Sequence, residues 1–220
     1  MSNLKPMILM ACAVLAVSPA AQAESGASER WYASAFGGLN SMSGQRFDYS
    51  GPGGNASGDI AMGSGAIVGG AVGYRLAPAW RVEGEFAYRS VDNSGGSLSD
   101  GTVLEGGDYA STSIALNGLY DFNLFGSDKA RSYLGLGLAW LTEVDADFAQ
   151  PSGEVSFSGD GFGVQLLAGA RYEVGKRVFL DAGLRYLLVS GIELEAETGE
   201  GRFEADYEPW AVTLGIGWKF

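Results

Sequence analysis

The final segment of the chain, residues 208–220, alternates strictly between large apolar side chains and small or polar ones. One face consists of Trp210, Val212, Leu214, Ile216, Trp218 and Phe220, and the other of Ala211, Thr213, Gly215, Gly217 and Lys219. A period of two residues indicates a β-strand. Tryptophan near both ends of an unbroken apolar face is typical of a strand that contacts lipid between two headgroup layers. This segment therefore predicts a chain that crosses a membrane with strands.

Seven earlier segments show the same alternation, and each is long enough to cross a bilayer at a tilt, which takes about 9–11 residues. They cover residues 30–40, 66–77, 80–91, 109–123, 131–143, 161–174 and 178–190. In the first of them, the face that begins with Trp31 competes with the face that begins with Tyr32 for the outward side. Because lipid cannot satisfy an open sheet edge, the strands must close. We therefore predict an all-β fold: a closed antiparallel eight-stranded up-and-down transmembrane β-barrel.

The amino-terminal residues have the parts of a secretory signal peptide. Lys5 precedes an apolar run over 7–17, which is too short to span a bilayer as a helix, and Ala21-Gln-Ala23 is a cleavage site of the A-x-A type. We predict that residues 1–23 are a cleaved signal peptide and that residues 24–220 form the barrel domain. The single cysteine, Cys12, lies in the predicted signal, where a lipoprotein lipobox is the alternative with the poorer fit.

The connections between the eight segments alternate in length. Residues 77–79, 125–130 and 175–177 are short turns, whereas 41–65, 92–108, 144–160 and 191–207 are long. Short turns at one rim and long loops at the other are typical of transmembrane barrels. The pattern predicts that both termini lie on the periplasmic side and that the long loops are extracellular.

Charge and aromatic residues sort by rim as well. The long stretches are acidic, and the short-turn rim carries Arg75, Arg81, Lys129, Arg131, Lys176 and Arg177. Tryptophan prefers the depth of the lipid headgroups. The predicted aromatic girdles contain Trp31, Trp80 and Trp218 near the short-turn rim and Trp140 and Trp210 near the other.

The chain resembles the small eight-stranded outer-membrane proteins with OmpA-type or porin-family-like β-barrel domains, over essentially all of residues 24–220. The matching motifs are Trp31-Tyr-Ala-Ser-Ala-Phe-Gly-Gly38, Trp80-Arg-Val-Glu-Gly-Glu-Phe-Ala-Tyr88, Leu116-Asn-Gly-Leu-Tyr-Asp-Phe122, Tyr133-Leu-Gly-Leu-Gly137 and the Trp-Lys-Phe ending. The resemblance implies a surface protein of the Gram-negative envelope, monomeric, in contact with outer-membrane lipid and lipopolysaccharide. It also implies that the barrel assembly machinery reads Trp218 and Phe220. These motifs indicate architecture and carry little information on activity.

The lumen is the first candidate site, because charged residues alternate with the outward apolar ones. The predicted lumen charge network consists of Arg81, Glu83, Glu85, Arg89, Asp121, Arg171, Glu173, Asp181 and Arg185. Glu83 and Glu85 are neighbours on one face, so we expect a cation such as Arg171 or Arg185 across from them. A paired polar plug is favoured over a narrow pore, because side chains nearly fill an eight-stranded barrel. We expect the inward glycines to make room for bulky neighbours: Gly69, Gly73, Gly135, Gly137, Gly163, Gly169, Gly183, Gly215 and Gly217.

The last long stretch is the second candidate. Glu193, Glu195 and Glu197 alternate with apolar residues there, which predicts that the seventh and eighth strands continue as a hairpin beyond the membrane. Its carboxylate-rich face is a candidate for divalent cations or for a bridge to lipopolysaccharide. The spacing matches no calcium-binding loop, so a solvated acidic rim is favoured.

The composition argues against several other functions. The chain has no histidine and a net charge of −12, one unit more negative without Lys5. A Ser-His-Asp site cannot be built, and the acidic charge disfavours nucleic-acid binding. We therefore predict a structural or surface-interaction protein with no catalytic, cofactor or metal residues. The alternatives are a narrow porin-like channel, a lipid-modifying enzyme (disfavoured by the missing histidine), and a lipocalin-like carrier, which would have the opposite polarity.

Overall fold

The computed structural model describes residues 30–51, 54–99, 103–104, 107–150, 153–196 and 201–220. The predicted signal peptide, residues 1–23, lies outside the described residues. No helix in this part of the chain is long and apolar enough to cross a membrane. The described residues form twelve antiparallel strands: β1 (Trp31–Ser41), β2 (Gln45–Gly51), β3 (Gly54–Met62), β4 (Ser64–Ala77), β5 (Trp80–Leu98), β6 (Val103–Leu104), β7 (Gly107–Phe122), β8 (Ala130–Gln150), β9 (Gly153–Glu173), β10 (Val178–Ala196), β11 (Arg202–Tyr207) and β12 (Trp210–Lys219).

Eight of these strands close into a ring. The pairing order is β1, β4, β5, β7, β8, β9, β10 and β12, and β12 pairs back onto β1. Tyr32, for example, lies opposite Lys219 on one side and Gly73 on the other. Closure leaves no sheet edge facing lipid, which is what a strand-built membrane protein requires. The structure confirms the predicted closed eight-stranded antiparallel barrel.

The outer wall of this ring is apolar. In β1, Trp31 and Leu39 are exposed whereas Tyr32 and Phe36 are buried, so the face that begins with Trp31 is the outward one. An exposed apolar band of this extent indicates a lipid-facing surface. The five girdle tryptophans all point outward, and most of them pack against another aromatic ring. Neighbouring rings pair as Trp31 with Tyr74, Trp80 with Tyr120, and Trp140 with Phe162.

The prediction that the four long stretches are loops is wrong for most of their described residues. β5, β8, β9 and β10 continue beyond the girdle of Trp140 and Trp210, and β2, β3 and β11 pair among them. The upper strands also close, in the order β2, β3, β5, β7, β8, β9, β10 and β11, with β11 pairing to β2. We call this upper ring the extension. The predicted hairpin of the last stretch is confirmed, since Glu193 lies opposite Glu204.

Irregularities at the base of the extension explain why the sequence pattern missed it. In β8 the inward residues are odd-numbered up to Leu141, but Val144 is the next buried one. In β10 the same change occurs between Val189 and Ile192, at Gly191, whose φ is 63°. A bulge adds one residue and moves the following side chains to the opposite face. In a sequence this change of phase is indistinguishable from the end of a strand.

The extension has an apolar interior. Val144, Leu187 and Leu194 belong to one cluster of buried apolar side chains, and the rings of Tyr109 and Tyr207 stack with their centres 5.4 Å apart. The Tyr207 hydroxyl shares a hydrogen bond of 2.7 Å with Ser111 Oγ, and burial raises the pKa of the Tyr207 phenol. Burying this apolar surface stabilises the extension in the way a soluble domain is stabilised. The predicted polar interior is therefore limited to the membrane-spanning ring.

Candidate functional site

All nine residues of the predicted lumen charge network lie on the inner side of the barrel wall. Seven are buried, and Glu173 and Asp181 are half-buried near the short-turn end. β5 supplies four of the nine from alternating positions, because successive inward side chains of a strand are two residues apart. These four are Arg81, Glu83, Glu85 and Arg89.

The network has a lower part centred on Arg81. Its Nη1 lies 2.6 Å from Glu83 Oε1, and its Nε donates to both carboxylate oxygens of Asp121 at 2.9 Å. Arg81 Nη1 also donates to the Tyr32 hydroxyl at 2.6 Å, and that hydroxyl in turn donates to Glu83. One guanidinium thus holds two carboxylates and a phenol, which is the multiple pairing that a buried charge needs.

Arg171 completes the lower part. Its guanidinium lies 3.3 Å from Glu83 and 3.5 Å from Asp181. The same group lies 4.5 Å from the centre of the Tyr32 ring and 3.8 Å from that of Phe179, so aromatic faces cover it. Cation–π contacts of this kind strengthen when water is excluded. Arg171 is therefore held in place by both charge and packing.

The upper part of the network is centred on Glu85. Arg185 Nε lies 3.4 Å from Glu85 Oε2, and the amides of Gln165 and Asn117 donate to Glu85 at 3.1 and 3.3 Å. The expectation that Arg171 or Arg185 lies across from Glu83 and Glu85 matches this geometry. Arg89 differs from the other arginines, because its hydrogen bonds run to Ser113 Oγ at 2.6 Å and Gln165 Oε1 at 3.0 Å rather than to a carboxylate.

Above the short-turn mouth, the charges inside the membrane-spanning ring are balanced. Arg81, Arg89, Arg171 and Arg185 match Glu83, Glu85, Asp121 and Asp181 in number. At the short-turn mouth, Glu173 pairs with Lys219 at 2.5 Å. A balanced, hydrogen-bonded interior costs far less to bury than an excess of either charge. Chemically, the arrangement holds each of these four carboxylates within 3.5 Å of at least one guanidinium.

Aromatic residues inside the lumen were missed by the sequence analysis. Tyr32 and Phe179 fill the interior opposite glycines: a Cβ at Gly73 would overlap the Tyr32 ring, and one at Gly217 would overlap the Phe179 ring. This geometry supports the expectation that inward glycines make room for bulky neighbours. The available signal was the cross-strand pairing of a large residue with glycine, which becomes visible only when the register is known.

The acidic candidate lies on the outer surface of the extension. Glu193, Glu195, Glu204 and Asp206 are exposed, while Glu197 and Glu200 lie outside the described residues. Arg202 forms an exposed ion pair with Glu193 at 3.2 Å. Across the described ranges, no three His, Cys, Asp or Glu side chains converge in a way that could hold a metal ion.

A closed ring of eight antiparallel strands, with an apolar outer belt, aromatic girdles and an enclosed ionic interior, defines a transmembrane β-barrel. The chain belongs to the outer membrane protein beta-barrel domain family, whose family model matches residues 9–220. This membership confirms the resemblance drawn from the sequence and places the protein in the outer membrane.

Solved structures agree on the fold. The outer membrane protein OprG from Pseudomonas aeruginosa superposes with a TM-score of 0.63 at 18% identity, covering 88% of this chain and 97% of that chain. The outer membrane protein AlkL, solved in DMPC lipid bilayers, superposes with a TM-score of 0.54 at 16% identity, covering 91% of this chain and 94% of that chain. At these identities the likeness shows architecture alone. A search of curated protein sequences found no match.

Proposed function

We propose that this protein is a non-enzymatic barrel with a sealed interior, which acts through its outer surface rather than by conducting solutes. The observation that carries the proposal is the pair of barriers in series along the barrel axis. The ion-paired network centred on Arg81 and Glu85 fills the membrane-spanning ring. The apolar core around Leu194 fills the extension above it.

Each barrier opposes the passage of an ion at a different energetic cost. Moving an ion past the apolar core would require desolvating it, and passage through the lower network would require separating buried ion pairs. The absence of histidine from the chain further disfavours the enzyme alternative. With the interior closed, the surfaces left for function are the lipid-facing wall and the outer face of the extension.

The outer face of the extension suits a partner that brings cations. Glu204 lies directly opposite Glu193 on one side and Asp48 on the other, and all three are exposed. Like charges directly opposite each other in a sheet are destabilising, and bound or condensed cations relieve the repulsion. We propose that the extension is extracellular and meets lipopolysaccharide through divalent cations, as a diffuse ion layer on a solvated acidic surface.

We further propose an orientation and a mode of assembly for the barrel. Both termini are periplasmic, the protein is a monomer, and Trp218 and Phe220 present the signal that the barrel assembly machinery reads. Two observations support this reading of the last strand: the two side chains are about half-exposed on the outer wall, and Phe220 N donates to Trp31 O at 2.9 Å across the closing seam.

Planar-bilayer recording of the refolded protein tests the sealed interior. We expect no steady conductance above the bare membrane. Insertion is verified in the same sample by the heat-dependent shift in electrophoretic mobility that folded barrels show. Steady conductance that grows with salt and excludes solutes by size would establish the narrow-channel alternative instead.

A divalent-cation titration tests the surface role. In vesicles that contain lipopolysaccharide, Mg²⁺ should raise the urea concentration at which the native protein unfolds. Glu204→Gln should reduce this increment, because it removes the middle carboxylate of the row. Asp128→Asn, the same charge change at the opposite rim, should leave it intact. Equal responses of both variants would refute a role for the extension.

A further inference from the structure

A depression of about 400 Å³ lies at the mouth of the barrel where the short turns meet. Its lining includes Arg75, Arg131, Lys176, Lys219, Asp128 and Glu173. Arg75, Arg131, Glu173 and Lys219 stand on the inner face of their strands, so they line the aqueous mouth rather than the lipid-facing wall. Apart from Glu173, which belongs to the lumen charge network and pairs with Lys219, the charged residues named here take no part in the proposed role of the lumen or of the acidic extension.

The register sets two of these arginines against other arginines. Arg75 lies directly opposite Arg81 on β5, and Arg131 lies directly opposite Arg171 on β9. Like charges directly opposite each other in a sheet are destabilising. Arg75 and Arg131, the outer members of the two pairs, both line the depression at the mouth.

Within the described residues, the inner member of each arginine pair contacts carboxylates, whereas the outer member contacts none. Arg81 and Arg171 use the buried acids of the lumen, at 2.6 to 3.5 Å. Glu173 is held by Lys219 at 2.5 Å. Among the residues that the structure describes, neither Arg75 nor Arg131 makes a salt bridge; Arg75 Nη1 reaches only the Pro78 carbonyl, at 3.4 Å.

The depression therefore carries a surplus of positive charge. Arg75, Arg131 and Lys176 face one carboxylate, that of Asp128, which has no ion pair within the described ranges. Guanidinium groups bind phosphate oxygens through two parallel hydrogen bonds, which a lysine cannot do. A multiply charged oxyanion in this position would satisfy both outer arginines and remove the repulsion within each arginine pair.

From this geometry we infer a phosphate-binding site at the short-turn mouth, with Arg75 and Arg131 as its principal ligands. The chemistry shared by the possible ligands is an anionic phosphate group whose oxygens the two guanidinium groups bind. Its source is either a free phosphate compound in the aqueous mouth or a phospholipid headgroup from the adjoining leaflet. The site is independent of the proposed surface function.

Calorimetric titration with inorganic pyrophosphate tests the site in the full mature chain. The protein is held in dodecyl-maltoside micelles, which carry no phosphate. We expect saturable binding, and Arg75→Gln/Arg131→Gln should weaken it by about tenfold for each guanidinium removed. The matched control is Arg30→Gln/Arg177→Gln, which removes two charges from the same rim outside the depression. It should change the affinity by no more than about threefold, because exposed charges farther away are screened.

Unfolding without ligand supplies a second readout. Because the substitution removes two like-charge pairs, Arg75→Gln/Arg131→Gln should unfold at the same or a higher urea concentration than the native protein in low salt. Pyrophosphate should then raise the midpoint of the native protein and of the control variant, but not that of Arg75→Gln/Arg131→Gln.

Adding phosphatidylglycerol to the micelles distinguishes the two sources. If the headgroup occupies the site, the apparent affinity of the native protein for pyrophosphate falls, and it remains unchanged if the site takes only free phosphate compounds. Absence of pyrophosphate binding in pure dodecyl maltoside, or equal binding by the native protein and Arg75→Gln/Arg131→Gln, would overturn the inference.

Discussion

The membrane-spanning ring and the extension are built from the same strands with opposite polarity. In the lower half of β10, Leu184 points outward and Arg185 inward; in the upper half, Glu193 points outward and Leu194 inward. The change occurs where β10 passes the outer girdle at Trp210 and bulges at Gly191. The outer face of this one strand is therefore suited to lipid along its lower half and to water along its upper half.

This difference shows what the surroundings require of each half. Lipid outside the lower ring accepts apolar side chains, so the wall gains nothing from an apolar interior and can enclose ion pairs. Water outside the upper ring solvates apolar side chains poorly, so the extension must bury its apolar residues inside. Substitutions at matched positions in the two halves should therefore differ in their effects.

The largest effect should come from breaking the charge balance of the lower ring. Glu83→Ala leaves Arg81 and Arg171 without a shared carboxylate in a closed interior, which should cost about 3–5 kcal/mol of unfolding free energy. The exposed acid Glu193, paired to Arg202, is the control, and Glu193→Ala should cost at most about 1 kcal/mol. Urea unfolding of the refolded protein in vesicles measures both. Similar losses of unfolding free energy in Glu83→Ala and Glu193→Ala would mean that the lumen is hydrated.

In the extension, the interior should instead depend on apolar volume. Leu194→Ala removes a fully buried side chain, which should cost about 2–5 kcal/mol. Leu138, which is 72% exposed on the lipid-facing wall, is the matched leucine, and Leu138→Ala should have a much smaller effect on the protein in bilayers. Hydrogen exchange should show added exposure confined to the extension in Leu194→Ala. Faster hydrogen exchange throughout the lower ring would contradict the view that the two halves are stabilised independently.

Glycine positions on the two sides of one wall should respond differently to the same methyl group. In Gly73→Ala the new Cβ would overlap the Tyr32 ring, and overpacking of this kind costs about 1–3 kcal/mol. Gly84 faces outward, and no atom beyond its chain neighbours lies within 4 Å of the place that a methyl group would occupy, so Gly84→Ala should be nearly neutral. Unfolding midpoints of the two variants give the comparison, and equal midpoints would refute the tight fit of Tyr32.

The smallest effect concerns the polar group within the apolar core. Tyr207→Phe removes the hydroxyl that bonds Ser111 and should cost about 0.5–1.5 kcal/mol. The double variant with Ser111→Ala should cost little more, since it leaves no buried hydroxyl unpaired. A double-mutant cycle on urea unfolding checks this, and strictly additive losses would show that the bond contributes nothing.

Much of the fold could be predicted from the alternation alone. Lipid imposes an unbroken apolar face such as that from Trp210 to Trp218, and a strand-built membrane protein has to close. The pairing of Glu83 and Glu85 with Arg171 and Arg185 was partly accessible, because charge balance in a closed space limits the choices.

The extension could not be predicted, because the bulges near Leu141 and Gly191 change the phase of the alternation and resemble strand ends. The aromatic contacts of Arg171 with Tyr32 and Phe179 depend on register across four strands, which a single sequence does not define. For the same reason, the opposed arginines at the short-turn mouth became visible only in the paired sheet.

The reversal of polarity along β10 can be measured directly with nitroxide spin labels at positions 184 and 193. The only cysteine, Cys12, lies in the predicted signal, so each label can be placed by a single substitution, Leu184→Cys or Glu193→Cys, in the mature chain. Both sites face outward from the same strand. The label at 184 should collide with dissolved oxygen and little with a water-soluble nickel chelate, and the label at 193 should show the reverse. The same accessibility at both sites, or the opposite order, would contradict the account.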